Sequence, residues 1–278
     1  MGHYRVTLII SFYNQIDYLK RILASLERQS IQDFEVIIAD DGSRPDVVLE
    51  IQQLGRTAPL TIQHIWHEDL GFRKTRILNR AIIASRSDYL IFIDGDCIPH
   101  PRFVEEHFRN REAKTVLAGR RANLSPKFIN LLTEENIRSG ILERGFERKL
   151  FLDGIFGKST HVLKGVFFES PALRTYLNRK EAGLLGCNFS IHKSDLLEVN
   201  GFDERYQAPA VGEDTDLGVR LKWNRIKLKT VKNIAVQYHF DHPKLERPQV
   251  NFDIFEKVLQ ERRAYTPYGI VRSHQTGD

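Results

Sequence analysis

The chain has 278 residues, 41% hydrophobic and 28% charged, with a formal net charge of +5 at pH 7. That is enough sequence for one large domain with a full core, and the charge excess is too small to mark a nucleic-acid binder by itself. No apolar run reaches the roughly 18 residues that a membrane span needs.

Residues 5–11 (RVTLIIS) form a near-continuous apolar run, as a strand covered on both faces should. Its polar flanks make it a strand rather than a secretory leader. In residues 15–29, Ile16, Leu19, Ile22, Leu23 and Leu26 share one helical face. Residues 35–39 (EVIIA) are a second strand, ending at Asp40-Asp41-Gly42-Ser43. A helix is expected from Pro45, since proline suits a first helical turn. Residues 61–66 form a third strand, and 73–84 a helix with Ile77, Leu78, Ala81 and Ile82 inward. Residues 89–93 form a fourth strand that stops at Asp94-Gly95-Asp96, and 101–111 a further helix. This alternation predicts an α/β fold with a mostly parallel central sheet and helices on both faces. Such sheets bind ligands beyond the carboxyl ends of their strands. Three of the four strands end there in polar clusters: SFYN (11–14), DDGS (40–43) and DGD (94–96).

The second half is less regular. Residues 120–182 read as a mostly helical, charge-rich insertion, 184–192 (LLGCNFSIH) as a strand, and 200–204 (NGFDE) as a turn. Residues 213–224 form a helix, 227–231 and 234–238 short strands, and 252–263 an amphipathic helix. No boundary is visible, so the chain reads as one domain. Its nucleotide-binding half would span 1–100, its acceptor and metal half 184–242, and a C-terminal helix and tail 250–278. The two cysteines, Cys97 and Cys187, are too few for a disulfide scaffold and are expected as free thiols of a cytoplasmic protein.

Neither G-x-x-x-x-G-K-[ST] nor G-x-G-x-x-G follows the first strand, which disfavours P-loop and dinucleotide enzymes. Asp94 and Asp96 suggest another route to phosphate. Carboxylates repel phosphate, but a divalent cation reverses the sign, and oxygen ligands suit Mg²⁺ or Mn²⁺. Gly95, without a side chain, lets the turn set both acids at the ligand edge.

Taken together, SFYN, DDGS, GFRKTRILNRA (71–81), DGD, NGFDE and GEDTDLGVRL (212–221) resemble the family-2 nucleotide-sugar glycosyltransferases of GT-A fold, with a galactosyltransferase-like C-terminal half. The resemblance covers roughly residues 5–105 and 184–242. It implies an inverting, metal-dependent transfer from a UDP-sugar to a saccharide or lipid-linked glycan, as in bacterial surface polysaccharide synthesis. Asp96 would ligate the metal, and Asp94 would contact the ribose or a metal-bound water. Ser11 would belong to the nucleotide-sugar site, Tyr13 would pack on the uracil, Asp40 and Asp41 would recognise the base and ribose, and Arg73 and Arg76 the diphosphate. Asp214 would be the base that deprotonates the acceptor, with Glu213 on the acceptor and Asp216 left to helix capping. A histidine past the Glu-Asp pair completes the metal site in galactosyltransferase-like relatives. His239 is favoured here over His242, and imidazole favours Mn²⁺ over Mg²⁺. Cys187 and Asn188 would lie near the donor sugar, while Trp66 and Trp223 are expected in the core. A histidine ligand and an acceptor base argue against the alternative of an inactive nucleotide-sugar-binding module. No aromatic-basic face suggests nucleic acid. The basic 144–149 segment and Arg262, Arg263 and Arg272 are either solvated or a peripheral contact with an anionic membrane.

Overall fold

The computed structural model describes residues 4–156, 158–181, 183–208, 212–242 and 247–271. The first half alternates as the apolar runs dictate: β1 (Val6–Phe12), α1 (Ile16–Leu26), β2 (Phe34–Asp40), α2 (Pro45–Thr57), β3 (Thr61–Trp66), α3 (Lys74–Ala84) and β4 (Tyr89–Asp94). The middle carries β5 (Cys97–Pro99), α4 (Phe103–Arg109), β6 (Thr115–Ala118), β7 (Arg120–Leu124), α5 (Pro126–Leu131), α6 (Glu134–Arg138), α7 (Phe146–Ile155), a 3₁₀ turn (Val162–Gly165) and α8 (Pro171–Leu177). The last part holds β8 (Asn188–His192), α9 (Lys193–Glu198), α10 (Glu213–Trp223), β9 (Lys227–Thr230), β10 (Val236–Phe240) and α11 (Gln249–Glu261).

Seven strands form the main sheet in the order β3-β2-β1-β4-β8-β6-β9. β1 pairs in parallel with both β2 and β4, and β8 runs antiparallel between β4 and β6. Alternate residues of β1 feed two cores. Leu8 and Ile10 pack with α1 and α2, while Ile9 packs with α3 and α10. That is the both-faces burial read from the continuous apolar run.

A second sheet, β5-β10-β7, was not foreseen. β5 has only three residues, too short for a periodic signal, and it follows the Asp-Gly-Asp turn directly. β10 starts two residues later than expected, and residues 184–187 lie before β8 rather than in it. The 120–182 segment is helical only in short pieces, and it contributes β7 to the second sheet. Among the described residues no helix is long and apolar enough to cross a membrane. Arg272 lies outside the described residues.

Candidate active site

Parallel pairing sets Ser11 beside Asp94 and Phe12 beside Asp40, so the polar strand ends share one edge. The turn after β4 folds back tightly, with Gly95 N–H donating to Ser11 O at 2.8 Å. A Cβ at Gly95 would stand 2.9 Å from that same oxygen, so glycine is a steric requirement here. Asp94 Oδ1 accepts from Ser11 Oγ at 2.7 Å and from Lys74 Nζ at 2.8 Å.

Asp96 faces the second sheet. Its Oδ2 lies 3.2 Å from His239 Nε2 and 3.3 Å from His242 Nε2. One ligand atom from each of the three residues falls within a 4.8 Å cluster. The backbone sets this proximity: His239 pairs with Cys97 in the β5–β10 ladder, and Phe240 N–H donates to Asp96 O at 2.9 Å. Asn123 Oδ1 stands 3.2 Å from His239 Nδ1. That oxygen can only accept, so the contact would keep a proton on Nδ1 and leave Nε2 for an ion to take in place of its hydrogen bond to Asp96. Burial works to raise the Asp96 pKa, but hydrogen bonds from His239 and His242 outweigh it and hold the carboxyl well below its usual range. A carboxylate with two imidazoles, one oriented by an outer hydrogen bond, fits a transition ion such as Mn²⁺ better than Mg²⁺. The sequence reading chose between the two histidines and added Asp94. The fold instead gathers both histidines, and Asp94 lies outside the cluster because Ser11 and Lys74 already hold it.

Asp214 and Glu213 open α10. Gly212, just before them, has φ +109°, and a Cβ there would meet the Tyr206 ring at 2.3 Å. Asp214 Oδ2 accepts from Gly186 N–H at 2.9 Å, and Leu217 and Leu221 anchor the same helix face in the core. Glu213 is buried, which pushes its pKa up against the opposing charge of Lys74, 3.6 Å away. Burial works against the Lys74 ammonium, yet Asp94 and Glu213 hold its pKa above the ordinary value. Lys74 therefore joins the Asp94 edge to α10. Sequence reading missed it, because a lysine opening an amphipathic helix looks like a solvated face. Of the arginines expected in its place, Arg76 is exposed on α3. Arg73 uses its backbone N–H on Asp41 Oδ2 at 2.9 Å, and its Nε–H is buried without a partner.

Asp40 is wholly buried, with Oδ1 on Ser43 N–H at 2.9 Å and Oδ2 on His64 Nε2 at 2.9 Å. It holds the loop rather than facing the cleft. Asp41 Oδ1 lies 2.7 Å from His67 Nε2, and burial raises its pKa against the Arg73 N–H and His67. Tyr13 stands half-exposed at this end, its hydroxyl donating to Asp69 at 3.0 Å. Trp66 is not in the core: it is 41% exposed beside the same loop, its indole N–H on Ser43 O at 3.1 Å. Trp223 is half-buried on α10.

Asn188 is also reassigned. It is buried and donates to Arg120 O at 2.9 Å and Ala235 O at 3.1 Å, tying β8 to the second sheet. Cys97 and Cys187 are free and buried behind Asp96, and Arg121 Nη1 lies 3.4 Å from the Cys187 sulfur. Asp216, buried, pairs with Arg220 at 2.8 Å, and Arg220 donates to Val199 O and Gly201 O. That fixes α10 against the 200–204 turn. A cleft of about 650 Å³ is lined by Phe72, Arg73, Tyr206, Gln207, Ile254 and Lys257, and Tyr206 is the ring that packs against Gly212 at the start of α10.

The family model for glycosyl transferase family 2 matches residues 7–163, more than half of the chain. The chain belongs to glycosyltransferase family 2. The match runs past residue 105, where the recognisable motifs stop, into the 120–182 segment. A second model, the N-terminal domain of galactosyltransferase, matches residues 172–243 of this glycosyltransferase. It is 25% identical to chondroitin synthase of Escherichia coli over 94% of its own length and 38% of the relative's. It is 29% identical to validoxylamine A glucosyltransferase of Streptomyces hygroscopicus subsp. jinggangensis, covering 78% of itself and 51% of the relative. The chain thus spans about half or less of these relatives. The mannosyltransferase PcManGT from Pyrobaculum calidifontis, solved in complex with GDP-Man and Mn²⁺, superposes with a TM-score of 0.54 at 15% identity, over 84% of this chain and 56% of that one. TarS of S. aureus gives the same score and identity over 86% and 37%. Both likenesses establish the fold, which is that of GT-A glycosyltransferases.

Proposed function

We propose that the protein is an inverting, Mn²⁺-dependent transferase that moves a hexose from a UDP-sugar to a saccharide or lipid-linked glycan, in bacterial surface polysaccharide synthesis at the inner face of a membrane. The observation that carries this reading is the convergence of two acidic centres on one edge. Asp96 with His239 and His242 forms one, and Asp214 with Glu213 the other; Lys74 links Glu213 to Asp94, two residues before Asp96.

Asp96, His239 and His242 would hold the ion, which supplies positive charge to the departing diphosphate. Tyr13 offers a half-exposed ring for the uracil face, Asp41 the carboxylate end of that subsite, and Ser11 orients Asp94. The acceptor would enter the cleft beside Tyr206, with its hydroxyl between Glu213 and Asp214. Asp214, held by the Gly186 amide, takes the hydroxyl proton as the oxygen attacks the anomeric carbon. The carbon–oxygen bond to UDP breaks on the opposite face, so the configuration inverts. Support comes from the family membership and from chondroitin synthase among the relatives.

The test is a panel of UDP-sugars with Mn²⁺, scored by donor hydrolysis and by transfer to saccharide acceptors. Asp214→Asn is expected to bind UDP and Mn²⁺ in calorimetry yet lose transfer by at least ~100-fold. Full transfer by that variant would reject the base assignment. Loss of UDP binding in the absence of any fold change would reject the division between donor and acceptor sides.

A further inference from the structure

Helix α7 is apolar on the side where a solvated helix should be polar. Phe146, Leu150 and Asp153 share its inward face and are buried. Phe151, Leu152 and Ile155 share the opposite face and are exposed, and Phe156 at the C-cap is 78% exposed. The helix end sits close against the following 3₁₀ turn, since a Cβ on Gly154 would meet Val162 Cγ2 at 2.6 Å. Leu163 on that turn, also exposed, extends the same apolar surface. Five large apolar side chains in one place are more than scattered surface residues.

The charges around this surface have one sign. Arg148, Lys149 and Lys158 are exposed and Lys164 is half-buried; none makes an ion pair among the described residues. Neighbouring acids are spoken for: Asp153 accepts from Ser159 at 2.5 Å, and Glu147 from Phe167 N–H at 2.9 Å. An apolar face ringed by unpaired cations complements an anionic lipid surface, where the rings and aliphatic chains enter the acyl boundary and the ammonium groups meet headgroup phosphates.

Position gives the surface a purpose. Thr160, between α7 and the 3₁₀ turn, exchanges backbone hydrogen bonds of 3.0 Å with Asn123. Asn123 in turn orients His239. One residue of contact therefore separates this face from the candidate metal centre.

We propose that α7 and the 3₁₀ turn form a docking face for an anionic phospholipid membrane, placing the metal edge against the bilayer so that a lipid-carried acceptor reaches it. The acceptor part of this proposal rests on the sugar-transfer reading; the docking part stands alone. It also centres the membrane contact on the apolar side chains of Phe151, Leu152, Ile155, Phe156 and Leu163, with Arg148 and Lys149 at the rim, and leaves out residues 262–263.

The experiment is flotation of the full chain with vesicles containing phosphatidylglycerol and with vesicles of phosphatidylcholine alone. The wild type is expected to float with the anionic vesicles and to be released by salt. The combined variant Phe151→Ser, Leu152→Ser, Ile155→Ser, Phe156→Ser should bind them at least about tenfold more weakly. Because all four side chains face outward, its circular dichroism and Mn²⁺-dependent UDP-sugar hydrolysis in solution should match the wild type. Lys149→Glu with Lys158→Glu should remove the preference for anionic lipid. No flotation of the wild type, or equal flotation of the serine variant, overturns the docking face. So does a wild-type dimer in sedimentation that the serine variant abolishes without any vesicle binding, since a second copy would then cover the surface. Vesicle binding without donor hydrolysis would leave the docking face standing and reject the transferase reading instead.

Discussion

Lys74→Met isolates the contact that joins the two halves of the site. Its ammonium lies 2.8 Å from Asp94 Oδ1 and 3.6 Å from Glu213 Oε1, and all three side chains are a quarter exposed or less. At an effective permittivity of about 20, these contacts are worth roughly 6 and 5 kcal/mol of gross attraction. Bringing the ammonium out of water offsets several kcal/mol of that. Methionine keeps most of the volume but strands two carboxylates with no cation between them. Breaking fully buried pairs costs about 3–5 kcal/mol, and the residual exposure here places the loss near ~3 kcal/mol. Urea unfolding should report it, and kcat/KM for sugar transfer should fall by about 100-fold as the edges separate. The acid limb of the pH–rate profile should also move upward, because Lys74 is what opposes the burial-driven rise of Glu213. Lys74→Arg should restore part of the stability, and Asp94→Asn with Lys74→Met should cost less than the sum of the singles. Unchanged stability together with unchanged kcat/KM in Lys74→Met would refute the bridging role.

Three other outcomes are expected. His239→Ala and His242→Ala should each weaken Mn²⁺ binding by at least about tenfold in calorimetry, and equal binding by His242→Ala would restrict the site to one histidine. Gly212→Ala should destabilise by ~2 kcal/mol or more, because a positive φ and a 2.3 Å approach to Tyr206 both oppose a side chain. Burial lowers the pKa of His107 to about 3 and that of His100 to about 4. Both imidazoles are thus neutral in the fold, so stability is complete above about pH 6.5, the unfolded value, and declines as pH falls toward those folded values. His107 alone should remove about 2 kcal/mol by pH 5, and His107→Gln, which keeps a polar partner for Asn188, should flatten that slope in urea titrations.

The central sheet was legible because strands buried on both faces must be nearly continuous in apolar residues, and β1, β2 and β4 are. The strand-end acids were legible because a parallel sheet gathers strand ends. The second sheet was not: β5 is three residues long, and β7 starts in the basic GRR run that reads as a solvated face. Lys74 was hidden for the same reason, since only its convergence with Glu213, 139 positions away in sequence, distinguishes it from its arginine neighbours. Asp40 and Asn188 were read by residue type at the right edge. Their burial, with each partner supplied by backbone or histidine, turns them into supports. Trp66 went the other way, because a large aromatic at a strand end need not be covered when its indole N–H finds a loop carbonyl.

The β5–β10 ladder has a thermodynamic consequence. Asp96 and His239 are held at their spacing by main-chain hydrogen bonds between adjacent strands, so little ordering entropy remains for an ion to impose. Chelation should then leave near-ultraviolet circular dichroism and hydrogen-exchange protection of residues 97–99 and 236–240 nearly unchanged. The melting temperature should drop only by the mass-action contribution of a ligand bound to the native state, growing with the logarithm of free Mn²⁺.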